Sequence, residues 1–182
     1  MPRWLNVANL FTLLRLVLVP FVIHSIIHGR HFLALVLFAL AAVTDILDGA
    51  AARHSGTATP EGAYLDPIAD KCLLSGVFVA LAVAGTVPWW LVVVIFARDA
   101  YIVLAAGVMI LLTPVRSFPP SVWGKASTFV QILTAATWLG RNALQLRALD
   151  AVSSAMLWPC AVFTIWSGIH YTWNGVRLAR AR

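Results

Sequence analysis

Apolar residues run along most of this chain in blocks about twenty long, the length a helix needs to cross a bilayer. Short polar or proline-bearing stretches separate the blocks. The first block is about Asn9 to Ile27. Arg15 and Pro20 interrupt it, and His28-Gly29-Arg30-His31 follows without a small-x-small cleavage pattern, so it reads as a retained helix and not a signal peptide. The second is Phe32 to about Arg53, and the stretch His54 to Glu61, rich in Ser, Thr and Gly, reads as a loop. The third is about Ala63 to Ala84, ended by Gly85-Thr86-Val87-Pro88. The fourth is Trp89 to Leu112, after which Pro114, Pro119 and Pro120 mark a loop. The fifth is about Lys125 to Leu139. A polar stretch with Arg141, Arg147 and Asp150 divides it from the sixth, Val152 to about Val176. The pattern predicts an all-α, polytopic membrane protein of about six transmembrane helices, forming one domain over residues 1–182.

Composition agrees. Of 182 residues, 61% are hydrophobic and 11% charged, with a mean hydropathy of +0.87. A soluble domain carries about 25% charged residues. A cytosolic globular enzyme, a disordered chain and a nucleic-acid-binding domain are excluded; the net charge of +6 comes from scattered bases with no patch and no aromatic platform. Six spans put both termini on one side, with Arg3, Arg53, Arg116, Lys125, Arg177, Arg180 and Arg182. The other side collects Arg30, Arg141 and Arg147. Positive charge favours the cytoplasm, so both termini and the His54–Glu61 loop are expected there, in a multi-pass protein of the cell (inner) membrane. Trp89, Trp90, Trp123, Trp158 and Trp173 fall near the expected span ends as interfacial anchors. Cys72 and Cys160 lie in apolar runs and read as small buried residues.

Five of the seven acidic residues fall between positions 45 and 70. Asp45 and Asp48 are three apart on the second span, and Asp66 and Asp70 four apart on the third, so each pair shares a helix face. A short connection makes the two helices antiparallel neighbours, and four carboxylates converge at one end. An Asp at the bilayer centre costs about 2.5–3.5 kcal/mol on insertion scales, and four together also repel. A hard divalent cation, Mg²⁺ or Mn²⁺, suits all-oxygen ligands, and four carboxylates suffice for two ions. The alternative is structural pairing, with Arg53 and Lys71 as the available bases. Gly49, Gly62 and the alanines around them would form a groove that admits a bulky planar group, or else an ordinary close helix contact.

Written out, the stretch is Asp45-x2-Asp48-Gly49-x2-Ala52-Arg53-x8-Gly62-x3-Asp66-x3-Asp70. It resembles the signature of the CDP-alcohol phosphatidyltransferase family at all eight positions. The likeness continues in Asn9-x2-Thr12-x2-Arg15, in Asp66-Pro67-Ile68-Ala69-Asp70-Lys71 and in Gly124-Lys125-x2-Thr128-x2-Gln131, which look like the phosphatidylglycerophosphate synthase and cardiolipin synthase versions. The resemblance implies a six-helix membrane fold, a homodimer and a site open to the cytoplasmic leaflet. It implies that CDP-diacylglycerol gives its phosphatidyl group to an alcohol and that CMP leaves. By position, Asp45, Asp48 and Asp66 would be metal ligands, and Asp70 both a ligand and the general base. Gly49, Ala52 and Gly62 would border the cytidine, and Arg53 would hold the diphosphate.

For the acceptor, Arg98, Arg116 and Lys125 are the candidate bases for a phosphate. Glycerol-3-phosphate is the expected acceptor. Phosphatidylglycerol is the alternative, which the Arg98-Asp99 pair resembles more closely. Outside the family, an intramembrane prenyltransferase also binds a metal diphosphate through paired aspartates but lacks the Gly-x2-Ala-Arg element. An ion transporter would spread its polar groups through the membrane depth and often show inverted repeats.

Overall fold

The computed structural model describes residues 7–55, 60–112 and 121–180, with side chains throughout except at 7–9, 46–55, 60–66, 109–110, 112, 176 and 178–180. Six α-helices and no strand occur among the described residues. They are α1 (Val7–Ile27), α2 (His31–Ser55), α3 (Pro60–Val83), α4 (Trp89–Leu112), α5 (Val122–Leu144) and α6 (Arg147–Arg180). The all-α expectation holds. Within the described residues three helical windows are long and apolar enough to cross a membrane: Leu10–Ile27, Trp89–Val108 and Arg147–Gly175. In α2 the described side chains, His31–Asp45, form a further apolar stretch.

Several expected boundaries move. The first span stands as one helix, continuous through Arg15 and Pro20; buried neighbours and local adjustment let a membrane helix keep a proline. Helix α2 runs on through His54 to Ser55, and α3 starts at Pro60, so only 56–59 of the expected loop lies between the helices. Pro60 is the first residue of its helix, where a missing N–H costs nothing. The polar stretch after the fifth span is largely helical too. Arg141 lies in the last turn of α5 and Asp150 in the first turn of α6, with Gln145 in a left-handed conformation at the junction (φ 51°). Trp158 therefore sits well inside α6, tilted against Trp90 at 6.0 Å between ring centroids. Cys160 is buried as expected, but Cys72 is exposed.

Two helices end in the same device. Gly29 and Gly85 both have positive φ (68° and 72°). After α1, Gly29 N–H donates to the Ile26 carbonyl (3.1 Å) and Arg30 N–H to that of Ser25 (2.8 Å). After α3, Gly85 N–H donates to the Ala82 carbonyl (3.0 Å) and Thr86 N–H to that of Leu81 (3.0 Å). This is the Schellman closure, and a Cβ would strain it.

The contacts divide the chain into two compact units, Met1–Val87 with Ala135–Asp150, and Pro88–Thr134 with Ala151–Arg182. In the first, α1 packs against both α2 and α3. Val22, Ile26, Phe38, Val77, Phe78 and Leu81 are buried there. Gly76 of α3 lies so close to Ile23 of α1 that an added Cβ would stand 2.7 Å from its Cδ1, the small-residue contact membrane helices favour. In the second unit Leu91 and Ile95 are buried, and a row of polar side chains joins α5 to α6. Gln131 Nε2 donates to Thr164 Oγ1 (3.1 Å), and Ser127 Oγ donates to the same hydroxyl (3.4 Å). Large apolar side chains are exposed along α1 (Leu13, Val17, Phe21), α4 (Val103, Leu104) and α6 (Val162, Ile165, Trp173). Such continuous apolar surface belongs against lipid.

Candidate active site

The centre of the first unit is a guanidinium. Arg15, midway along the apolar α1, is fully buried, its side chain 0% exposed. Its Nη2 lies 2.9 Å from Asp45 Oδ1 on α2, and its Nη1 lies 2.5 Å from Asp70 Oδ1 on α3. The two carboxylates are 44% and 41% exposed. One cation thus holds acids from two helices, and the pair plus Arg15 carries an excess negative charge. Thr12, one turn earlier on α1, is also buried, so two of the three fixed residues of the Asn-x2-Thr-x2-Arg element face inward. The side chain of Asn9 lies outside the described residues.

The expectation of converging acids is met for Asp45 and Asp70. Helix α2 is continuous from Asp45 through Asp48, and α3 from Asp66 through Asp70, so the one-turn spacing within each pair stands. The side chains of Asp48, Gly49, Ala52, Arg53, Gly62 and Asp66 lie outside the described residues, and so does Arg116 altogether. Among the described residues no group of three His, Cys, Asp or Glu forms a metal site. The donors that are described are hard oxygens, partly exposed and in charge excess, which fits a hard divalent cation and not zinc. Arg15 is the residue that sequence reasoning passed over. Its signal was there, since an arginine inside an apolar helix needs an anionic partner. Arg15 adds a structural pairing that the sequence reading did not name; the side chain of Arg53 lies outside the described residues.

The second unit holds a basic cluster. Arg98 on α4 pairs with its neighbour Asp99 (Nη1 to Oδ1, 2.9 Å) and donates through Nε to Ser167 Oγ on α6 (2.8 Å). It is only 14% exposed. A cavity of about 480 Å³ is lined by Arg98, Ser121, Gly124, Lys125, Thr128 and Tyr171, among others. Gly124 lies against the guanidinium, with the position of an added Cβ 3.6 Å from Arg98 Nη2. Of the Gly-Lys-x2-Thr-x2-Gln element, Gly124, Lys125 and Thr128 line this cavity, while Gln131 is buried in the α5–α6 hydrogen bonds. Arg98 thus has both a structural tie and a place in a basic cavity. Ser121, Thr128 and Tyr171 were not anticipated as lining residues; their neutral hydroxyls give no charge signal in a sequence.

The described residues thus hold a carboxylate pair around Arg15 in the first unit and a basic cavity around Arg98 in the second. The family model of the CDP-alcohol phosphatidyltransferases matches residues 5–166, and the chain belongs to that family. It is 36% identical to a Mycobacterium tuberculosis protein named "probable phosphatidylglycerophosphate synthase", over 96% of this chain and 84% of the relative. It is 33% identical to the CDP-diacylglycerol–glycerol-3-phosphate 3-phosphatidyltransferase of Shigella flexneri serotype 5b, over 91% of this chain and 92% of the relative. It is 32% identical to a Drosophila melanogaster protein named "probable cardiolipin synthase (CMP-forming)", over 75% of this chain and 47% of the relative. The chain is a membrane-bound phosphatidyltransferase of phospholipid synthesis, of a family whose substrates are CDP-diacylglycerol and an alcohol and which uses divalent metal ions.

Proposed function

We propose that the enzyme transfers the phosphatidyl group of CDP-diacylglycerol to glycerol-3-phosphate and releases CMP. The observation that carries the choice of acceptor is the cavity holding both Arg98 and Lys125. Two bases against the single acid Asp99 leave it with excess positive charge, suited to a phosphate monoester dianion. The names of the Mycobacterium and Shigella relatives support the same acceptor. Arg116 is assigned to the same phosphate as a basic residue of the loop expected on the cytoplasmic side. Phosphatidylglycerol is the second reading. The Arg98-Asp99 pair and the name of the Drosophila relative favour it.

The donor side is assigned to the acidic end. Asp45, Asp48, Asp66 and Asp70 would hold Mg²⁺ or Mn²⁺, with two ions the number four carboxylates support. Gly49, Ala52 and Gly62 would border the cytidine, and Arg53 would contact the diphosphate. A divalent ion held there would neutralise the diphosphate and the charge that develops on the departing CMP. Asp70 takes the proton of the acceptor hydroxyl. The acceptor oxygen bonds to the lipid-bearing phosphorus, and the bond from that phosphorus to the CMP oxygen breaks. An alcohol is a weak nucleophile, so a carboxylate within hydrogen-bond reach is what the step requires.

The rest of the reading is topological. Residues 1–182 form a single catalytic domain in the inner membrane. Both termini and the acidic end face the cytoplasm, as the count of basic residues on that side supports. The resemblance supports a homodimer. The test is CMP release from CDP-diacylglycerol by the purified enzyme, with glycerol-3-phosphate and phosphatidylglycerol offered separately. Release with glycerol-3-phosphate, with phosphatidylglycerophosphate as product, is expected. Release with phosphatidylglycerol alone moves the assignment to the second reading.

A further inference from the structure

We infer that Arg15 is the positioning residue of the metal-binding acids: it sets the placement of Asp45 and Asp70 from beneath and does not itself meet the substrates. The inference rests on the proposed metal role of these aspartates. Three observations carry it. First, the two acids sit on different helices, and Arg15 belongs to α1, which packs against both. Its two terminal nitrogens go to different carboxylates, Nη2 to Asp45 and Nη1 to Asp70, so the rigid guanidinium fork fixes one acid relative to the other. Second, exposure is one-sided. Arg15 is 0% exposed and the carboxylates are more than two-fifths exposed. A ligand arriving from solvent meets the carboxylate side, and the guanidinium remains behind it. Third, the charge count requires it. Carboxylates gathered at one place repel, and a buried guanidinium between them offsets that repulsion and holds their direction.

Two effects of removing Arg15 oppose each other. Losing a positive charge near the site favours a cation. Losing the brace leaves the ligands misplaced and mutually repelling. The burial and the two-helix geometry make the second effect the larger. Groups that orient metal ligands from behind typically account for about 10–100-fold in metal affinity.

The experiment is direct Mn²⁺ binding to the purified full-length protein, followed by electron paramagnetic resonance of the free ion. It compares wild type, Asp45→Asn, Arg15→Gln and Arg15→Lys, each beside a thermal unfolding curve in excess chelator. We expect Arg15→Gln to weaken Mn²⁺ about tenfold or more. Arg15→Lys, which keeps the charge but not the fork, should fall between it and wild type and serves if the glutamine variant does not fold. A residue that only supported the fold would lower the unfolding temperature and leave the affinity of the folded protein unchanged; that result, or tighter Mn²⁺ binding in either variant, overturns the inference. If wild type binds no Mn²⁺, or Asp45→Asn binds it equally well, the metal reading itself fails. That outcome is distinct from Asp45→Asn weakening the ion while both Arg15 variants bind it as wild type does.

Discussion

Among the described residues, Arg15 on α1 and Arg98 on α4 both sit in apolar helices, and their surroundings differ. Arg15 on α1 is fully buried and holds two acids, each from another helix. Arg98 on α4 is 14% exposed, pairs with the acid next to it in sequence and ties to α6 through a neutral serine. Around Arg15 acids outnumber the base, so the surplus is negative and calls for a cation. Around Arg98 the cavity adds Lys125, so the surplus is positive and calls for an anion. A charged side chain is costly in a membrane, and a surplus of either sign is costlier still. Under the proposed function, the local surplus around each arginine matches the charge of the ligand assigned to it.

The largest expected effect tests the negative surplus. Excess chelator should abolish CMP release, and Mg²⁺ or Mn²⁺ added back should restore it. Full turnover in chelator would break the comparison at its acidic side. Next comes the base. Asp70→Asn keeps the shape and one ligand oxygen but cannot accept the proton, so turnover should fall by about 10²–10⁴. Metal-dependent binding of CDP-diacylglycerol should persist in that variant, measured beside its CMP release. Normal turnover would remove Asp70 from the step.

A smaller effect separates the charged surroundings from the neutral ones. Gln131 joins α5 to α6 through hydrogen bonds without charge. Gln131→Leu should cost about 0.6–1.7 kcal/mol of stability, the range for such bonds between membrane helices. The KM values for both substrates should stay as they are. A changed acceptor KM would bring Gln131 into the cavity's function.

The acid pairs were legible because charges in an apolar run are conspicuous and the spacing of three and four puts each pair on one helix face. The helices were legible for a related reason, as the apolar blocks are long and well separated. Arg15 was hidden by sequence distance. Asp70 lies 55 residues away, and nothing local in an apolar helix says which acid an arginine will meet. Its membership of the Asn-x2-Thr-x2-Arg element hinted at importance without indicating a partner. The boundaries around Pro60 and Arg141 were misread because prolines and charges mark helix ends as readily as loops. Arg98 could be read either as an ion pair or as a ligand, and the structure gives it both surroundings.

The central claim is that the acidic end serves the donor and the basic cavity serves the acceptor phosphate. Its most direct test is a crossed pair of kinetic measurements, CMP release with CDP-diacylglycerol and glycerol-3-phosphate each varied, for Asp45→Asn and Lys125→Ala. The account predicts opposite patterns. Asp45→Asn should raise the KM for CDP-diacylglycerol and the Mg²⁺ concentration required, with little change for glycerol-3-phosphate. Lys125→Ala, at an exposed position, should raise the KM for glycerol-3-phosphate about tenfold, the loss of one charge-assisted contact, and leave the donor's KM in place. If both variants shift the KM of the same substrate, or Lys125→Ala leaves glycerol-3-phosphate untouched, the division of the molecule by surplus charge is wrong.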